Sequence, residues 1–462
     1  MLITPKLCRS LTQETYRFRE ARHILIIGSH PMIIKRLLKR LREEDTLMIC
    51  EPHNDSFIKL RRKLAKRRLK HKNVRVKLYN LHPWELEQRP QFNSIIITQD
   101  LSKLNDSSIT HIIESCQKLL VPGGCLSCCE VAFSRRIRRF SLANGRFIRS
   151  QRNVDALDHY VDSFQNYKET VWNAVFPIWV HNLQFTPQRS SMASSLMPSE
   201  ERYSFNIGKL KVSKDVLKFA PWLLAATGLL KKLKASFWYL PLIILSGVLA
   251  FLRDPKRSVH AEPDEVLSAC DGEVMDVSTV SEPCMGPTPW LRISAFLSIT
   301  NVHINRSPVA GKVLEQFEVE GKHVIANKYR AVHNHSCYTV IETDYGQVVV
   351  AQRVGLLARR IFNWVGRGEL VAQGERYGLI RLGSRTDIYL PLERYSVLVK
   401  PGDKIKAGRT VVAKRLYTPE QLAANAQQRQ AEIDAVLETT PITSDSEEGD
   451  RHHMVMRETE DR

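Results

Sequence analysis

Hydrophobic and polar positions fall into three successive patterns along the chain. Over the first two hundred residues, continuous apolar runs alternate with helical periodicity. His23-Ile-Leu-Ile-Ile-Gly28 is such a run, suited to a buried parallel strand, and a helical pattern follows through Arg42. Thr46–Glu51 predicts a second strand with an acid at its tip and a long basic helix behind it. Asn73–Leu78, Ser94–Thr98 and Cys125–Val131 predict further strands, with a helix over Ile109–Leu120 and a turn at Val121-Pro-Gly-Gly124. Alternating strand and helix imply a doubly wound α/β sheet, with any ligand at the carboxyl ends of the strands.

The second pattern is apolar. Val216–Leu230 and Phe237–Leu252 are parted by Lys231-Lys-Leu-Lys234, and each holds a proline, Pro221 or Pro241. Each is shorter than the ~20 residues of a spanning helix. Two full spans would set Lys231, Lys232 and Lys234 across the membrane from Arg253, Lys256 and Arg257, against the positive-inside tendency. The expectation is a membrane-associated helical segment lying in, or dipping into, the cytoplasmic interface, with Trp222, Trp238 and Tyr239 at headgroup depth. A pair of buried core helices and a single tilted span over Phe237–Leu252 stay open. In the third pattern short alternating runs are punctuated by glycine, as in Arg292–Ile299, Tyr338–Glu342, Gln347–Gln352 and Thr410–Lys414. They predict a mainly antiparallel β domain. The expected divisions are 1–205 with its linker, 206–262, 263–417, and a helix with a polar tail over 418–462.

Charge sharpens the picture. A net charge of +19 implies an anionic partner. The densest stretch, Lys59 to Lys72, has no interleaved aromatics to stack on bases, so an anionic phospholipid membrane is expected and nucleic acid is not. Nine cysteines, with Cys128 and Cys129 adjacent, do not form a disulfide framework pattern, and a reducing, cytoplasm-facing setting follows. Met1-Leu-Ile-Thr-Pro-Lys6 has no basic-then-apolar signal pattern. Cys125-Leu-Ser-Cys128 has CxxC spacing without a second pair, so no metal site is expected.

Gly383-Ser384 stands at a turn between Tyr377–Leu382 and Ile388–Leu390. Five segments lead up to and include it: Arg253-Asp-Pro-Lys-Arg257, Ala269-Cys-Asp-Gly-Glu-Val274, Asn301-Val-His-Ile-Asn-Arg-Ser-Pro-Val-Ala-Gly311, Gly355-Leu-Leu-Ala-Arg-Arg360 and Arg376-Tyr-Gly-Leu-Ile-Arg-Leu-Gly-Ser-Arg385. In kind and order they resemble the short-type phosphatidylserine decarboxylases. The resemblance implies self-cleavage between Gly383 and Ser384, giving alpha and beta chains of one precursor and a pyruvoyl group from Ser384. It implies His303 as the base, oriented by the Asp271 carboxylate. The pyruvoyl carbonyl would take the amine of phosphatidylserine and accept the electron pair as carbon dioxide leaves, and His303 would return the proton. Arg306, Arg359, Arg360 and Arg385 are the candidates to hold the substrate, Arg385 first. Asn334-His-Ser336 departs from the family's common Asn-Glu-Arg, which bears on substrate detail. A homo-oligomer at the cytoplasmic face of the cell membrane is expected.

The first half resembles the S-adenosylmethionine-dependent methyltransferases, in the branch with phospholipid N-methyltransferases and ribosomal RNA adenine dimethylases. Glu51 matches the acid on the cofactor ribose and Val121–Gly124 the Pro-Gly-Gly turn; Glu130-Val-Ala-Phe133 and Pro177-Ile-Trp-Val-His181 fit the phospholipid side. S-adenosylmethionine held by Gly28 and Glu51 is what this implies. Gly28-Ser-His-Pro31 departs from the usual Gly-x-Gly-x-Gly. Two alternatives stay open: a domain that methylates the decarboxylase product, or a silent one. The competing view of the whole chain is a membrane- or RNA-associated methyltransferase with a silent decarboxylase-like lipid-binding module.

Overall fold

Alternation of strand and helix runs through the first half: α1 (Pro5–Thr12), β1 (His23–Ile27), α2 (Pro31–Arg40), β2 (Thr46–Cys50), α3 (Asn54–Arg68), β3 (Arg75–Tyr79), β4 (Phe92–Asp100), α4 (Asp106–Leu119), β5 (Leu120–Val131), α5 (Asp155–Phe164), β6 (Gln165–Asn173) and β7 (Phe176–Leu183). In this computed structural model the described residues are 4–417, without 69–74, 102–103, 105, 133–139, 144–145, 150–154, 174–175, 187, 201, 209, 287, 327–328, 357–360, 381–383 and 393. The expected C-terminal helix and tail, and the end of the basic segment, lie outside them.

The strands order as β3-β2-β1-β4-β5-β7-β6. β1 pairs in parallel with β2 and β4, while β7 runs antiparallel to β5 and to β6. The order reverses between β1 and β4, which makes a switch point at the strand tips. β1 reads as an unbroken apolar run because both its faces are covered. Ile24 and Ile26 pack with Leu7 and Leu11 of α1 and Ile33, Ile34 and Leu37 of α2; Leu25 and Ile27 pack with Ile109, Ile113 and Cys116 of α4. The expected turn at Val121–Gly124 lies within the span of β5. All nine cysteines are free thiols.

Two short helices follow, α6 (Ala220–Lys232) and α7 (Leu240–Phe251). Pro221 and Pro241 do not interrupt them. Each sits in the first turn, where a missing N–H costs no intrahelical bond. No helix among the described residues is long and apolar enough to cross a membrane. Nor are these core helices: α6 buries no residue and α7 only Pro241. Trp222 is 78% exposed, Leu233 66% and Phe237 57%. Only the root is packed, where Leu252 with Val248 and Phe251 joins Val302, Ile304 and Leu379.

The second half is built on antiparallel strands: β8 (Gly272–Val280), β9 (Trp290–Leu297), β10 (Ile304–Arg306), β11 (Gly311–Val319), β12 (Ser336–Thr343), β13 (Gly346–Arg353), β14 (Arg376–Ile380) and β15 (Ser384–Pro391). The main sheet runs Leu370–Val371, β11, β12, β13, β15, β9, β8, Lys404–Ile405. β15 is interior, between β13 and β9, and is buried from Ser384 to Leu390. Ile388 and Leu390 face a core with Ile293, Val348 and Val350, while Tyr389 packs with Tyr338 and Val349 on the other face. β10 and β14 pair in a separate small sheet with Ile361–Asn363.

Met1–Arg415 makes one unit, and buried polar bonds join its halves. Glu375 is fully buried and accepts from Arg17 Nη2 at 3.2 Å and from the Ser199 N–H at 3.1 Å. Arg376 Nη1 donates to the Ser199 carbonyl at 2.7 Å. Unpaired, these groups would each carry a desolvation cost of about 1–3 kcal/mol or more.

Candidate active site

Ser384 opens β15 opposite Leu297 of β9. It is fully buried, and its Oγ has no hydrogen-bond partner among the described residues. His303 stands one residue before β10, also fully buried. Its Nδ1 lies 2.9 Å from the Asn301 carbonyl oxygen. A carbonyl only accepts, so Nδ1 carries the hydrogen and Nε2 the lone pair. That Nε2 is buried and unpartnered. The Phe251 ring covers the imidazole, centroids 4.3 Å apart. Burial outweighs the Asn301 bond and pushes the imidazole pKa down to about 4, so it is neutral at pH 7. A neutral imidazole with a free Nε2 is a proton acceptor.

Asn305 ties the two strands. Its Nδ2 donates to Thr386 Oγ1 at 3.1 Å, and its Oδ1 accepts from Gln352 Nε2 of β13 at 2.9 Å. Ser384 stands two residues before Thr386 on β15, and so on the same strand face, and His303 stands two residues before Asn305, just ahead of β10. No hydrogen bond joins Nε2 to Oγ. Asn305 and Gln352 were not singled out from the sequence. Asn305 falls inside the Asn301–Gly311 segment, but nothing local marks Gln352, which reaches the site by strand pairing.

Asp271 is where expectation and structure part. Its carboxylate takes the guanidinium fork of Arg257, Nη1 on Oδ1 at 2.5 Å and Nη2 on Oδ2 at 2.6 Å, and the Ala407 N–H at 2.9 Å. No bond runs to His303, whose Nδ1 is oriented by the Asn301 carbonyl instead. A planar fork matches both carboxylate oxygens at once, which a single imidazole N–H cannot do. The glycine after it has a packing reason, since a Cβ on Gly272 would collide with the Phe296 carbonyl.

Two of the substrate arginines have buried partners of their own. Arg385 lies within the sheet, Nε on Asp387 Oδ1 at 2.6 Å and Nη2 on Ser294 Oγ at 2.9 Å. Asp387 is shared with Arg353 at 2.7 Å. Burial would raise its carboxyl pKa, but Arg385 and Arg353 bring it down to about 2. Arg385 is therefore committed to a buried ion pair. Arg306 is held by Asp254 at 3.0 Å and the Gly374 carbonyl at 3.1 Å, and faces a cavity that neither Ser384 nor His303 lines. Arg359, Arg360 and Gly383 lie outside the described residues. His335 Nε2 is 3.6 Å from Glu318 Oε2 near the surface, while Asn334 pins its loop through Val324 and Val354.

At the other candidate site, Gly28 has φ +98°, and a Cβ there would collide with Thr98 Oγ1, which donates to the Ile27 carbonyl at 3.0 Å. α2 starts at Pro31 directly after His30, so its first turn lacks one N–H. Glu51 is buried at the tip of β2, with Oε1 accepting the His53 N–H at 3.1 Å. The acid stands where a ribose would need it. The turn does not fit S-adenosylmethionine, because a side chain fills the space over its one glycine and Pro31 removes a donor.

Comparison with known proteins bears on each half. The phosphatidylserine decarboxylase family model matches residues 245–413. The phosphatidylserine decarboxylase proenzyme of Carboxydothermus hydrogenoformans is 39% identical over 198 residues, covering 42% of this chain and 93% of that one. That of Nitrosomonas europaea is 38% identical over 217 residues, covering 46% and 94%. Structural neighbours of the N-terminal half include a Leishmania major S-adenosylmethionine-dependent methyltransferase, with TM-score 0.27, 18% identity, and 36% and 65% of the two chains covered. A precorrin-6y methyltransferase from Geobacter metallireducens has TM-score 0.28, 13% identity, and 40% and 90% covered. Likenesses this distant carry no argument, and the strand order stands on its own. The family match over residues 245–413, with relatives nearly 40% identical of which this chain covers 93% and 94%, makes the chain a member of the phosphatidylserine decarboxylase family.

Proposed function

We propose that the chain is a pyruvoyl-dependent phosphatidylserine decarboxylase that matures by cutting itself between Gly383 and Ser384. The observation that carries this is a pair of buried, unpartnered polar atoms, His303 Nε2 and Ser384 Oγ, on strands tied by Asn305 and Thr386. A buried polar atom without a partner costs about 1–3 kcal/mol, and such strain is found where function requires it.

In the first step His303 Nε2 takes the Ser384 hydroxyl proton while Nδ1–H stays on the Asn301 carbonyl. Oγ attacks the Gly383 carbonyl carbon, the C–N bond to Ser384 breaks, and the proton passes to that nitrogen, leaving an ester. Loss of the Ser384 α-proton then expels Gly383 as a carboxylate, and water replaces the nitrogen of the dehydroalanine, releasing ammonia. The pyruvoyl group so formed supplies the electron-accepting carbonyl on which decarboxylation to phosphatidylethanolamine depends. His303, neutral near pH 7, is the residue placed to carry a proton at Nε2 in both phases. Asp271 serves by fixing Arg257 and the segment that follows α7.

The α6–α7 hairpin is the membrane element in this proposal. Its exposed Trp222, Phe237, Trp238 and Ile243 enter the interface of an anionic membrane, on the cytoplasmic side. Its root places Phe251 on His303, and Arg253 Nη2 donates to the Thr300 carbonyl at 2.5 Å. A lipid held at the hairpin is thus delivered beside the catalytic imidazole. The doubly wound half, residues 1–205, acts as a scaffold bonded through Glu375, ahead of the hairpin region at 206–262 and the β domain at 263–417. Methylation of the product is not part of the proposal, because the Gly28 turn does not fit the cofactor.

Intact-mass spectrometry of the purified full chain tests this. Two fragments, the smaller starting with a keto-acyl group in place of Ser384, are expected for the wild type, and one uncut chain for Ser384→Ala. A wild-type chain that stays whole overturns the proposal.

A further inference from the structure

A cavity of about 720 Å³ opens where the two halves meet. Its walls come from the residues after α1, the end of α2, Met197–Glu200 and Lys256–His260. Ten arginine and lysine side chains line it, against one carboxylate, Glu200. Carboxylates behind the wall compensate only part of this charge. Arg17 is held by Glu14 and Glu375, Arg22 by Asp45, Arg42 by Glu44 and Arg257 by Asp271, but Arg306 and Arg376 share the single Asp254, at 3.0 and 2.6 Å. Among the described residues neither Lys211 nor Lys256 has an ion-pair partner. Burial first, and Arg376 second, push the Lys211 pKa down to about 8 and that of Arg306 to about 9.

A second observation concerns donors. Gln13 Nε2 and Arg17 Nε, both on residues lining the cavity, are buried N–H groups with no acceptor among the described residues. Cations in excess beside unsatisfied donors call for a ligand that is multiply charged and made of acceptors. Phosphate meets both needs, and guanidinium forks match its oxygens. A third observation concerns access. A neighbouring cavity of about 540 Å³ shares Lys211 and Lys256 with the first and reaches Arg253, at the foot of the apolar hairpin.

We propose that the cavity between the halves is a phosphate-binding site, with ligands from both halves, distinct from the Ser384 centre. The phosphate can belong to a free anion or to a phospholipid headgroup entering from the hairpin side, and the two present the same oxygens. The assignment does not depend on self-cleavage. It gives the N-terminal half a second role, since Arg17, Arg22, Arg40 and Arg42 supply one wall.

The test uses the full chain, its Lys256→Gln variant, and Arg42→Gln combined with Lys256→Gln. Lys256 is exposed, so the single variant keeps the fold even if the pair does not, and melting curves without ligand report on both. Calorimetric titration with inorganic phosphate is expected to show binding that falls about threefold in the single variant and about tenfold or more in the pair. In parallel, flotation with phosphatidylcholine vesicles, with and without phosphatidylglycerol, compares wild type with variant. Attraction to other basic surfaces is common to both proteins, so only a gain from phosphatidylglycerol that the variants lose points to a lipid headgroup. Calorimetric binding without that gain points to a free anion. Equal phosphate affinity and equal flotation in wild type and variants, or no response to either probe, overturns the proposal.

Discussion

At the tip of β1 and at the start of β15 the chain buries polar groups, with opposite results. Around Gly28, Thr98 fills the space above the glycine and spends its hydroxyl on the Ile27 carbonyl, while Glu51 accepts a backbone N–H. His30 there has an unpartnered Nδ1, but its loop runs straight into Pro31. Around Ser384, strand pairing and the Asn305 tie satisfy the neighbours and leave the hydroxyl and the His303 Nε2 over. Both tips look like sites in the sequence. What separates them is the accounting of partners: a tip whose groups already bond one another has little left for a ligand, and one that leaves a neutral base and a hydroxyl both unpartnered is a candidate for chemistry.

The largest effect expected from breaking this contrast is at His303. His303→Ala should slow self-cleavage by about 100- to 10,000-fold, followed by the appearance of the smaller fragment over time. In the wild type the rate should be flat across neutral pH and fall as pH drops through about 4, where Nε2 becomes protonated. Stability moves the same way. The unfolded chain takes up this proton near the ordinary histidine value and the folded chain does so only near 4, so stability is lost as pH falls between the two.

Asp271 comes next and sharpens the assignment of roles. If it clamps Arg257, Asp271→Asn leaves a buried guanidinium poorly paired and lowers stability by about 3 kcal/mol in a denaturant titration, and Arg257→Met in the same chain recovers much of it. A variant that cleaves slowly at unchanged stability would instead support the carboxylate acting on His303.

Trp222→Ala with Trp238→Ala should weaken vesicle binding by about a hundredfold or more, as each buried large apolar side chain contributes about 1.5–3 kcal/mol. Cleavage in solution should not change, since only the hairpin root touches His303. The smallest effect belongs to the β1 tip. Glu51→Gln should leave decarboxylation as it is, and filter binding of labelled S-adenosylmethionine should retain none on the wild type. Retention that Glu51→Gln abolishes would restore the methyltransferase alternative.

Much was legible in the chain because it rests on local periodicity. The unbroken run at β1 meant two covered faces, the glycine-punctuated alternations meant antiparallel strands, and the ordered segments ending at Gly383-Ser384 marked the family. The roles of Asp271, Arg385 and Arg306 were not legible. An ionic group takes whichever partner offers the best geometry in three dimensions, and Arg257, Asp387 and Asp254 lie 14, 2 and 52 residues away from them in the chain. The placing of Pro221 and Pro241 in the first turns of α6 and α7 was not legible for a different reason. A proline costs a helix its hydrogen bond only beyond the first turn, and where that turn begins depends on the residues packed before it.

From the sequence alone follow two sheet types, an apolar hairpin and the family to which the ordered segments belong, since hydrophobic period and segment order are properties of neighbouring residues. Tertiary structure alone decided which polar atoms remain without a partner and where cations from both halves gather around one cavity. Pairing and burial are settled between residues far apart in the chain.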